Sequence, residues 1–177
     1  NLVERLFSEF EITGVIHFAA ESHVDNAIMN PDIFIRTNII GTFTLLEVAR
    51  KHWAGNYDHC RFHQISTDEV YGSLGKSGSF TEMSAYAPNS PYSASKASGD
   101  LLVRSYAQTY GLNTVTSLCA NNYGPKQHAE KLIPTIIRTA LAGAPIPIYG
   151  NGKNIRDWIF VLDHCKALDL IFHQGRA

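Results

Sequence analysis

The stretch Gln64-Ile65-Ser66-Thr67-Asp68-Glu69-Val70-Tyr71-Gly72 leaves an apolar strand and sets hydroxyls and two carboxylates at its carboxyl end. A polar loop separates it from Pro91-Tyr92-Ser93-Ala94-Ser95-Lys96, which opens a helix with Ser90 as cap and proline in the first turn. Tyr92 and Lys96 stand four residues apart, so their side chains share one helix face. A lysine ammonium near a phenol favours the phenolate, drawing its pKa from about 10 toward the working range of a general base. Tyr-x-x-x-Lys by itself recurs by chance in helices. With the hydroxyl and acid pair upstream it points to proton-transfer chemistry.

Outward from this pair, short apolar runs alternate with helical patterns. Leu2, Val3, Leu6, Phe7 and Phe10 form the stripe of a helix over 2–10, closed by Gly14. Residues 15–20 read as a buried strand running out into the small polar run 21–25. Asn30-Pro31 starts a helix that reaches about Trp53, with Thr37 and Asn38 polar inside its pattern. These two are either buried contacts or cofactor contacts. A strand over 61–66 follows, then the loop 72–90, the helix from Tyr92 to Tyr110 closed by Gly111, and a strand over 114–119. Asn121 to Pro125 reads as a turn, 131–142 as a helix and 146–150 as a short edge strand. A strand over 159–162 leads into a last helix capped by Asp163 and reaching about His173. Gly150-Asn151-Gly152-Lys153 is no phosphate loop, because no helix follows it directly.

This alternation predicts an α/β fold of the Rossmann type, a doubly wound parallel sheet with helices on both faces. Ligands of such sheets sit outside the carboxyl ends of the strands. Residues 19–22, 66–69 and 121–122 all fall at such ends and are expected to share one site. The usual opening of the fold, a strand, Gly-x-Gly-x-x-Gly and a helix, is absent from these residues. With a first residue that is not methionine, this suggests a piece of a longer protein, the sheet lacking its Gly-rich N-terminal part and its C-terminal end. Residues 1–125 are expected to be the later part of a dinucleotide-binding domain. Residues 126–177 are a mixed segment carrying part of a smaller substrate-binding lobe before returning to the core.

Composition narrows the partners. Of 177 residues 45% are hydrophobic and 18% charged, which reads as an ordinary globular chain. The formal net charge of −1 comes without a basic stripe, so nucleic acid is not an expected partner. No apolar run is long enough to cross a bilayer, so no membrane is expected either. Cys60, Cys119 and Cys165 are few, odd in number and far apart, which fits a reducing, cytoplasmic setting. His59, Cys60 and His63 crowd together, but strand alternation sends Cys60 and His63 to opposite faces, and no metal is expected.

Tyr-x-x-x-Lys after a Ser/Thr-bearing strand end resembles the short-chain dehydrogenase/reductase superfamily. Within it, the runs 17–25, 66–72, 91–96, 121–125 and 130–134, with Arg156-Asp157-Trp158, resemble the dTDP-glucose 4,6-dehydratases from about Val15 to the end. Thr67-Asp68-Glu69 is the most specific part, since related epimerases generally lack this acid pair. The resemblance implies NAD as a resident redox cofactor and a nucleotide sugar, dTDP-glucose foremost, as substrate. Tyr92 takes the C4 hydroxyl proton, with Lys96 lowering its pKa, while hydride passes to NAD. Thr67 holds the C4 oxygen, Glu69 removes the C5 hydrogen, and protonated Asp68 donates to the leaving C6 hydroxyl. Hydride then returns to C6.

By the same resemblance Phe18, Ala19, Ala20, Glu21, Ser22, Thr37, Tyr92, Lys96 and Asn122 lie along the cofactor. Ser22, Thr67, Asn121, Lys131, Leu132, Pro147, Ile148, Tyr149 and Arg156 line the sugar nucleotide, with Lys131 and Arg156 offering cations to its diphosphate. A homodimer is implied, with the helices at 31–53 and 91–110 as its interface. Leu118, Ala120, Lys126, His128 and Ala129 depart from the usual pattern and bear on sugar or base specificity. The readings kept beside this one are a related epimerase or decarboxylase and a non-catalytic fragment. Without the Gly-rich turn, the 177 residues alone are expected neither to retain NAD nor to turn over substrate.

Overall fold

The computed structural model describes residues 2–75, 77–148 and 150–176 and divides into two compact units, residues 1–118 with 170–177, and residues 119–169. The first unit opens with helix α1 (Leu2–Phe10), strand β1 (Gly14–His17), the short helices α2 (Val24–Met29) and α3 (Pro31–Phe34), a π-helical segment (Ile35–Gly41) and α4 (Thr42–His52). Strand β2 (Arg61–Thr67), helix α5 (Pro91–Tyr110) and strand β3 (Thr114–Cys119) complete the sheet, whose order is β1-β2-β3. β1 and β2 run parallel, pairing Gly14 with Arg61 and His17 with Gln64. Helices thus lie between β1 and β2 and between β2 and β3, as the alternation in the sequence predicts.

The core of this unit sits between α1, α4, β2 and α5. Phe7, Leu46, Ala49, Trp53, Phe62, Val103, Tyr106 and Leu112 form one buried cluster. The indole N–H of Trp53 donates to the Ile12 carbonyl at 2.6 Å, so a large ring is buried with its polar atom satisfied. Helix α5 starts on a capping box between Ser90 and Ser93 and ends at Gly111, whose φ of 72° supplies the left-handed closing residue.

The helix expected over 31–53 runs without interruption from Pro31 to His52, with a π-helical segment inside it. Asn30 stands at the start without a side-chain cap bond, and Pro31 follows it. The π-helical segment inserts a wider turn at Ile35–Gly41, with Asn38 buried inside it. Gly99 of α5 packs against that turn. A β-carbon there would lie 3.1 Å from the Asn38 carbonyl oxygen and 3.3 Å from the Gln64 amide nitrogen. Gly99→Ala in the full-length protein is expected to cost about 1–3 kcal/mol, because backbone lies in the way. A urea midpoint equal to that of wild type would show that the helix can shift at no cost.

Three expectations need correction. β1 ends at His17, so 18–23 has no regular structure, and α2 was not foreseen in the polar run that follows. Residues 146–148 form no strand, since Pro145 and Pro147 lack the N–H donors that a ladder needs, and Tyr149 lies outside the described residues. Asp163 is not the cap of the last helix, α7 (Val161–Gln174), but stands in its first turn.

The second unit contains strand β4 (Asn121–Tyr123), helix α6 (Leu132–Leu141) and strand β5 (Trp158–Phe160). β4 and β5 form a two-stranded parallel ladder pairing Asn121 with Trp158 and Tyr123 with Phe160. The expected turn at 121–125 is therefore partly strand. Among the described residues no helix is long and apolar enough to cross a membrane.

Candidate active site

β2 is buried from Phe62 to Thr67, and its carboxyl end delivers Thr67, Asp68 and Glu69 directly into a 3₁₀ turn (Asp68–Tyr71). Thr67 caps that turn. Its Oγ1 accepts from the Glu69 backbone N–H at 3.3 Å and donates to Asp68 Oδ1 at 3.3 Å. Asp68 is half-buried and Glu69 exposed, so the two carboxyl groups have different surroundings although they are adjacent. Gly72 ends the turn at φ 86°, and a β-carbon there would meet the Ala87 carbonyl oxygen at 2.3 Å. Only glycine allows the chain to leave the turn so close to the returning loop.

Helix α5 presents Tyr92, Lys96 and Asp100 at successive four-residue steps, all buried. The Tyr92 ring packs with Phe34 and Ala27, edge-on to Phe34 at a centroid distance of 6.3 Å. The Lys96 ammonium donates to the Ile65 carbonyl at 2.7 Å, which ties α5 to β2 one residue before the Ser66–Glu69 run. Asp100 accepts a short hydrogen bond from the Ser66 hydroxyl and another from Tyr86 at 3.3 Å. Burial raises the Asp100 carboxyl above the usual carboxylate range, against the pull of Ser66 and Lys96. Burial, then the neighbouring Asp100 charge, pushes the Tyr86 phenol up.

A second polar chain joins β1 to the same helix. The Asn38 amide donates to the Glu21 carbonyl at 3.0 Å and to Ser95 Oγ at 2.8 Å, while its oxygen accepts from the Glu21 N–H at 2.9 Å. The Ser95 hydroxyl in turn donates to the Tyr92 carbonyl at 2.7 Å. Asn38 is thus a clamp that fixes the chain leaving β1. Thr37 beside it is half-buried. Phe18, Ala19 and Ser22 are exposed along the clamped segment, and Ala20 and Glu21 are half-buried.

His17 closes this chain from below. The Thr42 hydroxyl donates to the Asn38 carbonyl at 2.7 Å, so its oxygen accepts from His17 Nε2 at 3.0 Å. Burial, and then the Lys96 charge, lowers the His17 pKa to about 4. A free histidine titrates near 6.5, so between about pH 6.5 and 4 the unfolded chain binds a proton that the folded one refuses. The stabilising contribution is complete above pH 6.5 and is lost as the pH falls toward 4, amounting to about 3 kcal/mol. His17→Gln should flatten that part of the pH–stability curve, as measured by urea unfolding at pH 7 and pH 4. Equal slopes for variant and wild type would remove His17 as the source.

The remaining expected site residues belong to the second unit. Asn121 and Asn122 lie on β4, and the Asn122 amide is engaged, its oxygen with His164 Nδ1 at 2.7 Å and its nitrogen with the Ala120 carbonyl at 3.3 Å. Lys131 stands half-buried at the start of α6, and Leu132 is its first residue. Pro147, Ile148 and Arg156 are exposed, and the Arg156 guanidinium donates to the Ile155 carbonyl at 2.9 Å. Asp100, Tyr86 and the clamping role of Asn38 escaped the sequence reading. For Asp100 the signal was present, an acid one further turn along the Tyr92–Lys96 face.

Comparison with known proteins gives the family. The family model described as GDP-mannose 4,6 dehydratase matches residues 1–177. The chain belongs to that family. A dTDP-glucose 4,6-dehydratase of Xanthomonas campestris pv. campestris is 54% identical over 180 residues, covering 99% of this chain and 51% of the relative. A solved dTDP-glucose 4,6-dehydratase of Streptomyces venezuelae, with NAD bound, superposes with a TM-score of 0.92 at 47% identity, over 99% of this chain and 52% of that one. A UDP-glucose 4-epimerase of Thermus thermophilus in complex with NAD is more distant, at 30% identity and a TM-score of 0.85, over 96% of this chain and 56% of that one. The chain spans about half the length of the curated relatives it matches. The resemblance noted in the sequence holds, and the α/β fold with parallel strands is that of these dehydratases and epimerases.

Proposed function

We propose that the full-length protein is an NAD-dependent dTDP-glucose 4,6-dehydratase, converting its substrate to the 4-keto-6-deoxy sugar nucleotide. The observation that carries the reading is the Thr67-Asp68-Glu69 turn, set at the carboxyl end of the strand that Lys96 grips through Ile65. In this reading residues 1–125 are the later part of a dinucleotide-binding domain, and 126–177 carry part of the substrate lobe. The residues present fit a dinucleotide: a partly exposed segment with the small residues Ala19, Ala20 and Ser22 leaves β1, its backbone fixed by Asn38, which also bonds Ser95 of α5.

When bound, NAD supplies the hydride acceptor and donor. The protein's own groups move the protons. Tyr92 takes the proton of the sugar's C4 hydroxyl, with Lys96 beside it on the same face of α5. Thr67 holds the C4 oxygen. Glu69, exposed to the site, removes the C5 proton once C4 is a ketone. Asp68 delivers a proton to the departing C6 hydroxyl. Two adjacent carboxyl groups suit this sequence because one begins charged and the other neutral. Phe18, Ala19, Ala20, Glu21, Ser22, Thr37 and Asn122 line the cofactor in this reading. Ser22, Asn121, Lys131, Leu132, Pro147, Ile148, Tyr149 and Arg156 line the nucleotide sugar.

Incubating the full-length protein with NAD and dTDP-glucose should yield the 4-keto-6-deoxy product. A C4 epimer in its place would favour the epimerase reading, which the similarity to the solved UDP-glucose 4-epimerase keeps in view. We further propose a homodimer through the π-helical segment, α4 and α5, where Ile40, Phe43 and Leu101 are exposed. A monomer in equilibrium sedimentation of the full-length protein would dispose of it.

A further inference from the structure

Helix α5 continues the Tyr92–Lys96 face by one turn to Asp100, a buried acid that the proton chemistry above does not use. Its carboxylate is the meeting point of three segments. From β2 comes the Ser66 hydroxyl, one residue before Thr67 and one after the carbonyl that Lys96 holds. From the loop 72–90 comes the Tyr86 hydroxyl. α5 itself carries the acid. The loop is fastened at the same place, since the Ala87 N–H donates to the Val70 carbonyl at 2.9 Å. Tyr71, at the end of the acid-bearing turn, stacks on Phe80 at 5.2 Å and meets Tyr86 edge-on at 5.5 Å.

We infer that Asp100 is a positioning residue, whose carboxylate pins the Thr67–Glu69 turn and the 72–90 loop to the helix that carries Tyr92 and Lys96. Lys96 and Asp100 grip consecutive residues of β2, Ile65 through its backbone and Ser66 through its side chain. Two holds one helical turn apart prevent the strand end from both sliding and rotating on the helix. The turn that starts at Thr67 inherits that placement. A charged acceptor makes stronger hydrogen bonds to hydroxyls than a neutral one, and burial shields them from competing water. The Tyr86 arm extends the same placement to the loop. One carboxylate thereby couples loop position to the geometry of the acid pair.

The inference rests on the dehydratase reading for its kinetic consequence but not for its structural one, and the test separates the two. Asp100→Asn, Tyr86→Phe and Ser66→Ala are made in the full-length protein, and the first is also combined with each of the others. In Asp100→Asn, kcat for dTDP-glucose should fall by about tenfold or more while KM and NAD content stay near wild type, since a small misplacement of reacting groups weakens catalysis more than binding. Ser66→Ala should add little to Asp100→Asn, because both act on the same bond: the neutral amide oxygen accepts from Ser66 less strongly than the carboxylate does, and the alanine has no hydroxyl to donate. Amide hydrogen exchange in the peptide that spans Ala87 should accelerate in Asp100→Asn and in Tyr86→Phe, whether or not the protein is a dehydratase. If Asp100→Asn does not fold, Tyr86→Phe alone must show the faster exchange. Unchanged exchange in these variants, additive losses, or a kcat loss matched by a loss of folded protein would overturn the assignment. A wild-type protein that makes no product, with exchange still accelerated in the variants, would count against the dehydratase reading alone.

Discussion

Tyr92→Phe in the full-length protein should lower kcat by about 10²- to 10⁴-fold, the range contributed by a positioned proton-transfer group. The substitution removes one oxygen and leaves the ring where Phe34 and Ala27 hold it. The bonds that set the start of α5, from Ser90 to Ser93 and from Ser95 to the Tyr92 carbonyl, do not involve the phenol. Thermal midpoint and bound NAD should therefore stay near their wild-type values while turnover collapses. That division marks a group acting in the chemistry rather than in the fold. A phenylalanine variant as fast as wild type would remove Tyr92 from the role of base.

Asp68→Asn has a different signature. The amide cannot deliver a proton to the departing C6 hydroxyl, so water loss should slow by about 10²- to 10⁴-fold. Its carbonyl can still accept from Thr67 at the position of Asp68 Oδ1, so the turn keeps its cap. In the proposed mechanism oxidation at C4 depends on Tyr92 and should continue. Reduced cofactor then accumulates in a single turnover and is seen by its near-ultraviolet absorbance. Glu69→Gln should stall at the same stage for another reason, the C5 proton being left in place. Rapid wild-type turnover with reduced cofactor fully built up, or an Asp68→Asn enzyme equal to wild type, would exclude Asp68 as the donor.

Much of the first unit was legible in the residue order because its signals are local. Ser90-Pro91 and Gly111 mark the two ends of α5, and Ser-Thr-Asp-Glu after an apolar run marks the carboxyl end of β2. Four-residue spacing alone places Tyr92 and Lys96 on one face. Irregularities within the elements were less visible. The wider turn at Ile35–Gly41 has no composition of its own; it forms where Gly99 of α5 meets the Asn38 carbonyl and where Thr42 accepts from His17 while capping that same carbonyl. The strand expected at 146–150 read as apolar and short, and two prolines decide against a ladder there.

Local signals along the chain set the main elements around β2 and α5 and the chemistry they can carry: a parallel α/β sheet, a phenol and an ammonium on one helix, and a hydroxyl with two acids at a strand end. Those follow from periodicity, caps and side-chain type, which act over a few residues. Which distant groups hold that chemistry in register was decided only by tertiary structure. Asn38 meets Glu21 and Ser95 across 17 and 57 residues, and Asp100 meets Ser66 across 34. A buried polar side chain must find its partner wherever the fold brings one, and nothing in the spacing along the chain names it in advance.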